Sequence, residues 1–166
     1  TLVKSHRCPI SICVFANLIM HQFPEMKSIK EDSQQEHCLL VKNCDLGNYV
    51  DRFNPVALIW NNKALENIHP NIKQIYNMGE VKGLDFPNVI IYPTESMLKW
   101  VNNMTTQLAD ETRAKFYVAV TRAEITTGIV VPDNFCISSD STLTFWQFDL
   151  EMHNTIKCPN WGSNIL

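Results

Sequence analysis

The sequence lacks a long hydrophobic run and an excess of positive charge. No stretch approaches the 18 uncharged apolar residues of a membrane-spanning helix, and the first residues do not form a secretion signal. The net charge of −3 provides no overall basic field, so nucleic-acid contact would require a local patch or groove. These absences predict a soluble, cytoplasmic protein with no membrane partner.

The sequence also lacks the usual motifs for metals and nucleotides. Its cysteines include no Cys-x-x-Cys pair and its histidines form no cluster, so we predict no metal site. Cys8, Cys13 and Cys38 stand in apolar contexts typical of buried free thiols. The chain has no Gly-x-x-x-x-Gly-Lys-Ser/Thr phosphate loop. The first strand is not followed by Gly-x-Gly-x-x-Gly, which disfavours a generic dinucleotide-binding domain.

What is present predicts an α/β domain. The 166 residues, 45% of them hydrophobic, suit one core and a single domain covering residues 1–166. Apolar strand patterns alternate with helical ones, which favours a mainly parallel central sheet flanked by helices. The predicted strands are 2–4, 37–42, 56–60, 71–78, 89–92 and 128–131, with an edge strand or terminal extension at 142–149. The predicted helices are 9–23, 45–53, 95–103 and 110–126, and residues 27–36 form a predicted loop.

Two of these helices show apolar faces. Ile12, Phe15, Ala16 and Ile19 share one face of the helix at 9–23. In the helix at 110–126, the predicted buried stripe consists of Ala114, Tyr117, Val118, Thr121 and Ile125. Arg122 lies beside that stripe near the helix end, where a firmly held guanidinium suits bidentate contact with phosphate oxygens. The alternative is a surface arginine that the helix dipole favours at this position.

Three segments within residues 6–124 have distinctive sequences. The first is Arg7-Cys-Pro, followed by a helix ending in Phe-Ala-Asn17. The second is Lys82-Gly-Leu-Asp-Phe86 before an apolar strand, and the third is Tyr117-Val-Ala-Val-Thr-Arg-Ala123. In this order the three segments resemble motifs IV, V and VI of superfamily 1 DNA helicases of the UvrD/Rep type.

The resemblance implies a RecA-like P-loop NTPase-type lobe, the second motor lobe (domain 2A) of an ATP-dependent DNA helicase. The stretch between Asn17 and Lys82 is too short for the inserted 2B domain of long family members. ATP with Mg²⁺ would bind between this lobe and an N-terminal RecA-like lobe that is absent from this chain. That missing lobe would hold the magnesium ion, and the isolated fragment would be inactive as an ATP hydrolase.

The resemblance also implies roles for individual residues in ATP binding. Arg7 and Arg122 would reach the γ-phosphate as catalytic arginine fingers. Asp85 takes the place of the motif V acid that contacts the ribose, although the usual residue is glutamate, which is one methylene longer. Gly83 would allow close approach of the backbone to the nucleotide, or would simply form a structural turn.

Other residues would line a track for single-stranded or duplex DNA. Lys82 would contact phosphate, or would be a solvated lysine of the turn. Asn77 and Gly79 replace the Thr-x-His that faces DNA in many family members, so contact there would be weakened or made by backbone amides. Phe135, Phe145, Trp146 and Trp161 could stack on bases, but core or edge-strand packing is the stronger expectation. Asn17 is expected to cap or brace its helix.

Two classes of function remain open from the sequence. The first is the C-terminal motor lobe of a helicase or translocase, with 3′ to 5′ direction implied by the Lys-Gly form of motif V. The second is a degenerate helicase-like lobe that acts as a nucleic-acid or protein interaction module without ATPase function. An intact phosphate loop in a preceding lobe would separate the two.

Overall fold

A computed structural model describes residues 3–30, 37–138 and 141–148 of the chain. The strands are β1 (Val3–Ser5), β2 (Met26–Ser28), β3 (Cys38–Lys42), β4 (Val56–Ile59), β5 (Ile75–Asn77), β6 (Phe86–Ile91), β7 (Ala123–Val131) and β8 (Thr144–Phe145). The α-helices are α1 (Ile10–Ile19), α2 (Leu46–Phe53), α3 (Glu95–Asn102) and α4 (Asp110–Val120). None of the helices in these ranges is long and apolar enough to span a bilayer.

Six strands form one sheet in the order β5-β4-β6-β7-β3-β8, and every neighbouring pair is parallel. This confirms the predicted α/β class with a parallel central sheet, an arrangement consistent with a RecA-like lobe. The strands expected at 56–60, 89–92 and 128–131 lie at the centre, and β8 is an edge strand as expected. Parallel strands need crossover connections, and the helices between them supply these.

Helices cover both faces of the sheet, as the apolar runs of the central strands require. One face packs against the large side chains of α1, α3 and α4, including Phe15, Trp100 and Phe116. The other face packs against α2 through Tyr49, together with Trp146 from the segment at β8. Successive residues of one strand, such as Leu39 and Leu40, therefore belong to different cores.

The layer formed by α2 approaches β7 closely at Gly128. A Cβ atom at Gly128 would lie 2.8 Å from Ile90 Cδ1 and 2.9 Å from Tyr49 Cζ. The Tyr49 hydroxyl is also 3.1 Å from Thr126 Oγ1, which in turn donates to Asn88 Oδ1. Glycine at this position thus makes room for a fully buried aromatic ring.

A small parallel pair, β1 with β2, lies outside the main sheet. The prediction of a loop over 27–36 is therefore wrong for its first residues, and residues 31–36 lie outside the described part of the chain. Asn17 explains the strand, because its side-chain amide donates to Met26 O (2.8 Å) and accepts from Met26 N (2.9 Å). This contact confirms the expected bracing role of Asn17. Strand β2 was not predicted because it is short and polar, so its sequence has no apolar periodicity.

The predicted helix over 110–126 is too long. Helix α4 ends at Val120, and β7 already begins at Ala123. Ile125, Thr126 and Thr127 are β-branched residues that favour a strand. Thr126 and Thr127 pair there with Asn88 and Val89 of β6, so tertiary pairing outweighs the apparent helical continuation.

The predicted buried stripe of this helix is also wrong. The buried side chains of α4 are Phe116, Ala119 and Val120, whereas Ala114 is exposed. Tyr117 and Val118 are half-buried, and only Thr121 of the predicted set is buried. Ile125 lies in β7 with 48% of its surface exposed. Apolar residues occur on several sides of this segment, so spacing alone does not identify the face against the sheet.

The remaining predicted elements differ mainly at their ends. The helix at 9–23 stops at Ile19, and its predicted face of Ile12, Phe15, Ala16 and Ile19 is buried. The strand over 71–78 shrinks to Ile75–Asn77, and that over 142–149 to Thr144–Phe145. Residues 2 and 149 of two predicted strands lie outside the described ranges. Cys8 and Cys13 are buried free thiols, as expected, and Cys38 is buried as well.

Candidate functional site

The segments that resemble motifs V and VI meet at the amino ends of the two central strands, β6 and β7. Arg122 occupies the turn between α4 and β7, and Asp85 directly precedes β6. Phe86 pairs with Ala123, and the Phe86 amide donates to the Arg122 carbonyl at 3.0 Å. Parallel pairing therefore places the two segments side by side.

Arg122 is half-buried and directed back across the end of α4. Its Nε donates to Val118 O at 3.0 Å, and its Nη2 donates to Thr121 Oγ1 at 3.2 Å. Its Nη1 donates to Leu84 O at 3.3 Å, which ties it to the turn before β6. These bonds fix the guanidinium plane, and they also satisfy the last turn of the helix.

Arg7 reaches the same place from the segment between β1 and α1. Its Nη1 donates to Thr121 O at 3.3 Å, and its Nε forms an ion pair with Asp85 Oδ1. The structure thus brings together Arg7, Asp85 and Arg122, which we call the arginine–aspartate cluster. Asp85 contacts Arg7 directly, a pairing that the sequence does not reveal.

The charges of Arg7 and Asp85 both influence the pKa of Arg122. Burial lowers the pKa of Arg122, the neighbouring positive charge of Arg7 lowers it further, and Asp85 opposes both effects. An arginine remains protonated under such conditions. Two cations with one adjacent carboxylate leave a net positive charge, which favours anions.

Lys30 is a third cation near the cluster, and the sequence analysis missed it. Its Nζ donates to Glu124 O at 2.6 Å, two residues beyond Arg122. Ser28 holds this segment, because its hydroxyl donates to Cys8 O (2.6 Å) and accepts from Lys30 N (3.1 Å). Burial raises the pKa of the Cys8 thiol, while the positive charges of Arg7, Arg122 and Lys30 act in the opposite direction.

Gly83 and Lys82 form the turn that carries Asp85. Gly83 has φ +88°, a conformation that L side chains rarely adopt. A Cβ atom there would meet nothing within 4 Å. Glycine is required by the backbone angle of this turn, and Lys82 is exposed beside it.

Asn77 and Gly79 lie away from the cluster. They are at the carboxyl end of β5, whereas the cluster lies at the amino ends of β6 and β7. Asn77 Oδ1 accepts from Gly79 N at 3.1 Å, so the side chain caps a short 3₁₀ turn. Lys115 lies over Gly79, pairs with Glu111 and stacks on Trp60.

Three of the four aromatic residues considered for base stacking lie in the described ranges, and these three serve packing. Trp146 is buried against Tyr49, with ring centroids 5.4 Å apart. Phe135 is buried, and Phe145 carries Lys42 Nζ over its ring at 4.8 Å. Trp161 lies outside the described residues.

The cluster is partly exposed to solvent at Arg7 and Asp85. A cavity of about 390 Å³ lies at the opposite end of α4, where Trp100, Gln107 and Arg113 are among its lining residues. Within the ranges that the structure describes, no group of three His, Cys, Asp or Glu side chains could hold a metal ion.

Comparisons with known proteins give only distant structural likenesses. No family model and no curated protein matches the chain. Two crystal structures of the PRRSV nsp10 helicase, one of them methylated, have TM-scores of 0.46 and 0.45 at 15% and 16% identity. They match 79% and 78% of this chain, which spans only 24% and 23% of theirs.

A third solved structure is the C-terminal domain of a possible DNA helicase from Lactobacillus plantarum. It has a TM-score of 0.30 at 14% identity, over 87% of this chain and 83% of that one. At such identities and scores the likenesses do not define a family for this chain.

Proposed function

We propose that this chain is a helicase-like motor lobe, the second of two, which supplies arginine fingers to ATP bound against a preceding lobe. The parent protein would be an ATP-dependent DNA helicase or translocase of the UvrD/Rep branch of superfamily 1, moving 3′ to 5′. The observation that carries the proposal is the arginine–aspartate cluster. Residues from motif IV, motif V and motif VI converge there although they are distant in sequence.

The donor set of the cluster fits a phosphate chain. Guanidinium groups present planar arrays of donors that match phosphate oxygens, and here two of them share Thr121 as a support. Lys30 adds a point charge at the rim of the same strand end. Asp85 has acceptor capacity for a ribose hydroxyl besides its pairing with Arg7.

The proposed DNA track has a weaker basis in the geometry. Lys82 is exposed on the turn next to the cluster and could contact a backbone phosphate. Asn77 and Gly79 are at the other end of the strands, where the Gly79 amide is already capped by Asn77. A track that includes all three would have to pass along the sheet edge near β5.

The lobe alone does not contain a complete catalytic site. Phosphoryl transfer requires a phosphate cradle, a metal ion and a positioned water besides arginines. When bound, ATP with Mg²⁺ would supply the reacting phosphate and the metal charge. The residues of this chain would stabilise negative charge at that phosphate, and we expect no ATP turnover from the isolated chain.

The decisive experiment measures ATPase activity in a two-lobed parent protein. Arg122→Ala should lower DNA-stimulated kcat by about a thousandfold or more, the usual scale for an arginine finger. ATP affinity should change little, because the guanidinium acts mainly on the transition state. Arg122→Lys should rescue poorly, since an ammonium lacks the planar donor array.

Arg52→Ala serves as a matched control. This arginine lies over the Phe53 ring in the last turn of α2, and its loss should leave turnover unchanged. Equal turnover of Arg122→Ala and wild type would refute the finger role. ATP hydrolysis by the purified 166-residue chain would refute the assignment as an incomplete lobe.

A second candidate is a degenerate helicase-like lobe that serves as an interaction module without ATPase function. The bonding of Arg122 favours it, because Nε, Nη1 and Nη2 all have partners within the chain. Such an arginine could serve only to end α4 and anchor the turn before β6. In that case Arg122→Ala would lower stability and leave any ATPase of the parent intact.

A further inference from the structure

The carboxylate of Asp85 already takes part in an ion pair within the chain. It pairs with Arg7, and its charge also acts on Arg122. Two guanidinium groups that lie close together repel unless an anion intervenes. In this structure the intervening anion is part of the chain itself.

We propose that Asp85 is an internal counter-anion, which holds Arg7 until a phosphate group takes its place. This inference rests on the proposed function, since it concerns the same two arginines. It assigns to Asp85 the regulation of the anion site, and a ribose contact would use the same carboxylate only after Arg7 has been released.

The contacts allow this exchange without loss of the site. Arg7 is held by two different groups, Asp85 through Nε and the Thr121 carbonyl through Nη1. Release of Asp85 would therefore leave Arg7 anchored beside Arg122. No covalent bond changes, because one ion pair is replaced by another.

The exchange would move the Asp85 side chain and leave its backbone in place. Leu84 is bonded to Arg122 through its carbonyl and Phe86 is bonded to Arg122 through its amide, so the backbone is anchored on both sides of Asp85. The side chains of Arg7 and Asp85 are 31% and 42% exposed. Both side chains therefore face solvent in part, whereas the paired Arg7 Nε atom is itself buried.

The consequence is that the Asp85 carboxylate lowers the affinity of the cluster for anions. A phosphate chain must compete with Asp85 for Arg7 and must also approach a negative charge. Asp85→Asn keeps the shape of the side chain and removes both effects. We expect its affinity for an inorganic polyphosphate to rise.

The test is calorimetric titration of the 166-residue chain with tripolyphosphate at low ionic strength. Asp85→Asn should bind at least about threefold more tightly than wild type, the scale expected for a partly exposed ion pair. Glu124→Gln is the matched control. It removes the same charge from an exposed residue two positions from Arg122, and its affinity should stay near that of wild type.

The outcomes separate this inference from the proposed function. If Asp85→Asn binds equally or more weakly than wild type while Arg7→Ala and Arg122→Ala lose binding, the counter-anion role is refuted and the phosphate site stands. If neither arginine variant affects binding, the phosphate site itself is refuted. If Glu124→Gln raises the affinity for tripolyphosphate as much as Asp85→Asn does, the effect comes from net charge alone, and the specific role of Asp85 is refuted.

A second test uses the wild-type chain and therefore does not depend on whether a variant folds. Nuclear magnetic resonance can follow the Arg7 Nε–H signal as tripolyphosphate is added. Exchange of Asp85 for phosphate should shift this signal together with that of Arg122. A shift of Arg122 alone, with Arg7 unchanged, would overturn the exchange.

Discussion

Thr121 is the residue on which the candidate site converges. Its carbonyl accepts from Arg7 and from the Cys8 thiol, and its hydroxyl accepts from Arg122 while bonding back to Tyr117 O. The sequence pattern places Thr121 in a buried stripe and within the segment that resembles motif VI, but it predicts no role for this residue as an acceptor. Its use as a shared acceptor depends on the end of α4, which the sequence places incorrectly.

The cysteines provide a test at the scale of single residues. Burial raises the pKa of the Cys13 thiol to about 11, and the nearby Cys8 adds to this effect. Cys136 is exposed. Because the thiolate is the reactive form, iodoacetamide at pH 8 should alkylate Cys136 first. The alkylation rate of Cys13 should be about one hundredth of the Cys136 rate or lower.

Mass spectrometry of peptides after timed quenching would measure both rates. Cys136→Ser should remove the fast reaction and leave the slow one, and denaturant should make Cys13 react quickly. Rapid labelling of Cys13 in the folded chain would contradict its burial.

The candidate site was predictable only in part. Arg7, Asp85 and Arg122 could be selected because their sequence contexts resemble three helicase motifs. The ion pair between Arg7 and Asp85 was not predictable, because it depends on how the turn after Gly83 is directed. Lys30 was missed because nothing local marks a lysine that is positioned by Ser28.

At the scale of elements, the apolar strands were the most predictable. Val56–Ile59 is an uninterrupted apolar run, and β3 is apolar up to its final residue, Lys42; only a covered sheet accommodates such runs. The boundary between α4 and β7 was not predictable to the same degree. Residues 121–126 have a helix-compatible pattern, and pairing of β7 with β6 decides their conformation.

Helix α1 offers a direct test of its buried face. Phe15 is fully buried between Trp100 and Phe116, with ring centroids 5.9 Å from each. Its neighbour Val14 is 43% exposed. Phe15→Ala should lower the free energy of unfolding by about 3–5 kcal/mol through the cavity it leaves.

Val14→Ala is the matched control, and its effect should stay within about 0.5 kcal/mol. Chemical denaturation monitored by circular dichroism would give both values. Similar losses for the two variants would mean that α1 presents a different face to the core.

At the scale of the whole molecule, Gly128 joins the layers. It lies in β7, and its missing side chain admits Tyr49 of α2 and Ile90 of β6. Gly128→Ala should destabilise the chain by about 1–3 kcal/mol, because a fully buried tyrosine ring must shift. Thermal unfolding should show a lower Tm with a single transition.

Gly47→Ala provides the comparison within α2. A Cβ atom there would be 3.4 Å from His69 Nε2, a tolerable approach, and alanine favours a helix over glycine by about 0.5–1 kcal/mol. The Tm of this variant should remain unchanged or rise. A larger loss for Gly47→Ala than for Gly128→Ala would contradict the packing between the layers.

The strand order has a consequence for synthesis on the ribosome. Strand β3 is made before β4, β5 and β6, yet its partner on the inner side is β7, so Leu39 meets Gly128 only after these intervening strands have been translated. During that interval the apolar side chains of β3 remain exposed to solvent, because the neighbouring strand has not yet been made. A nascent chain stalled before β7 should therefore expose an aggregation-prone apolar strand and bind chaperones. A chain released beyond β7 can pair β3 with β7 and complete the sheet.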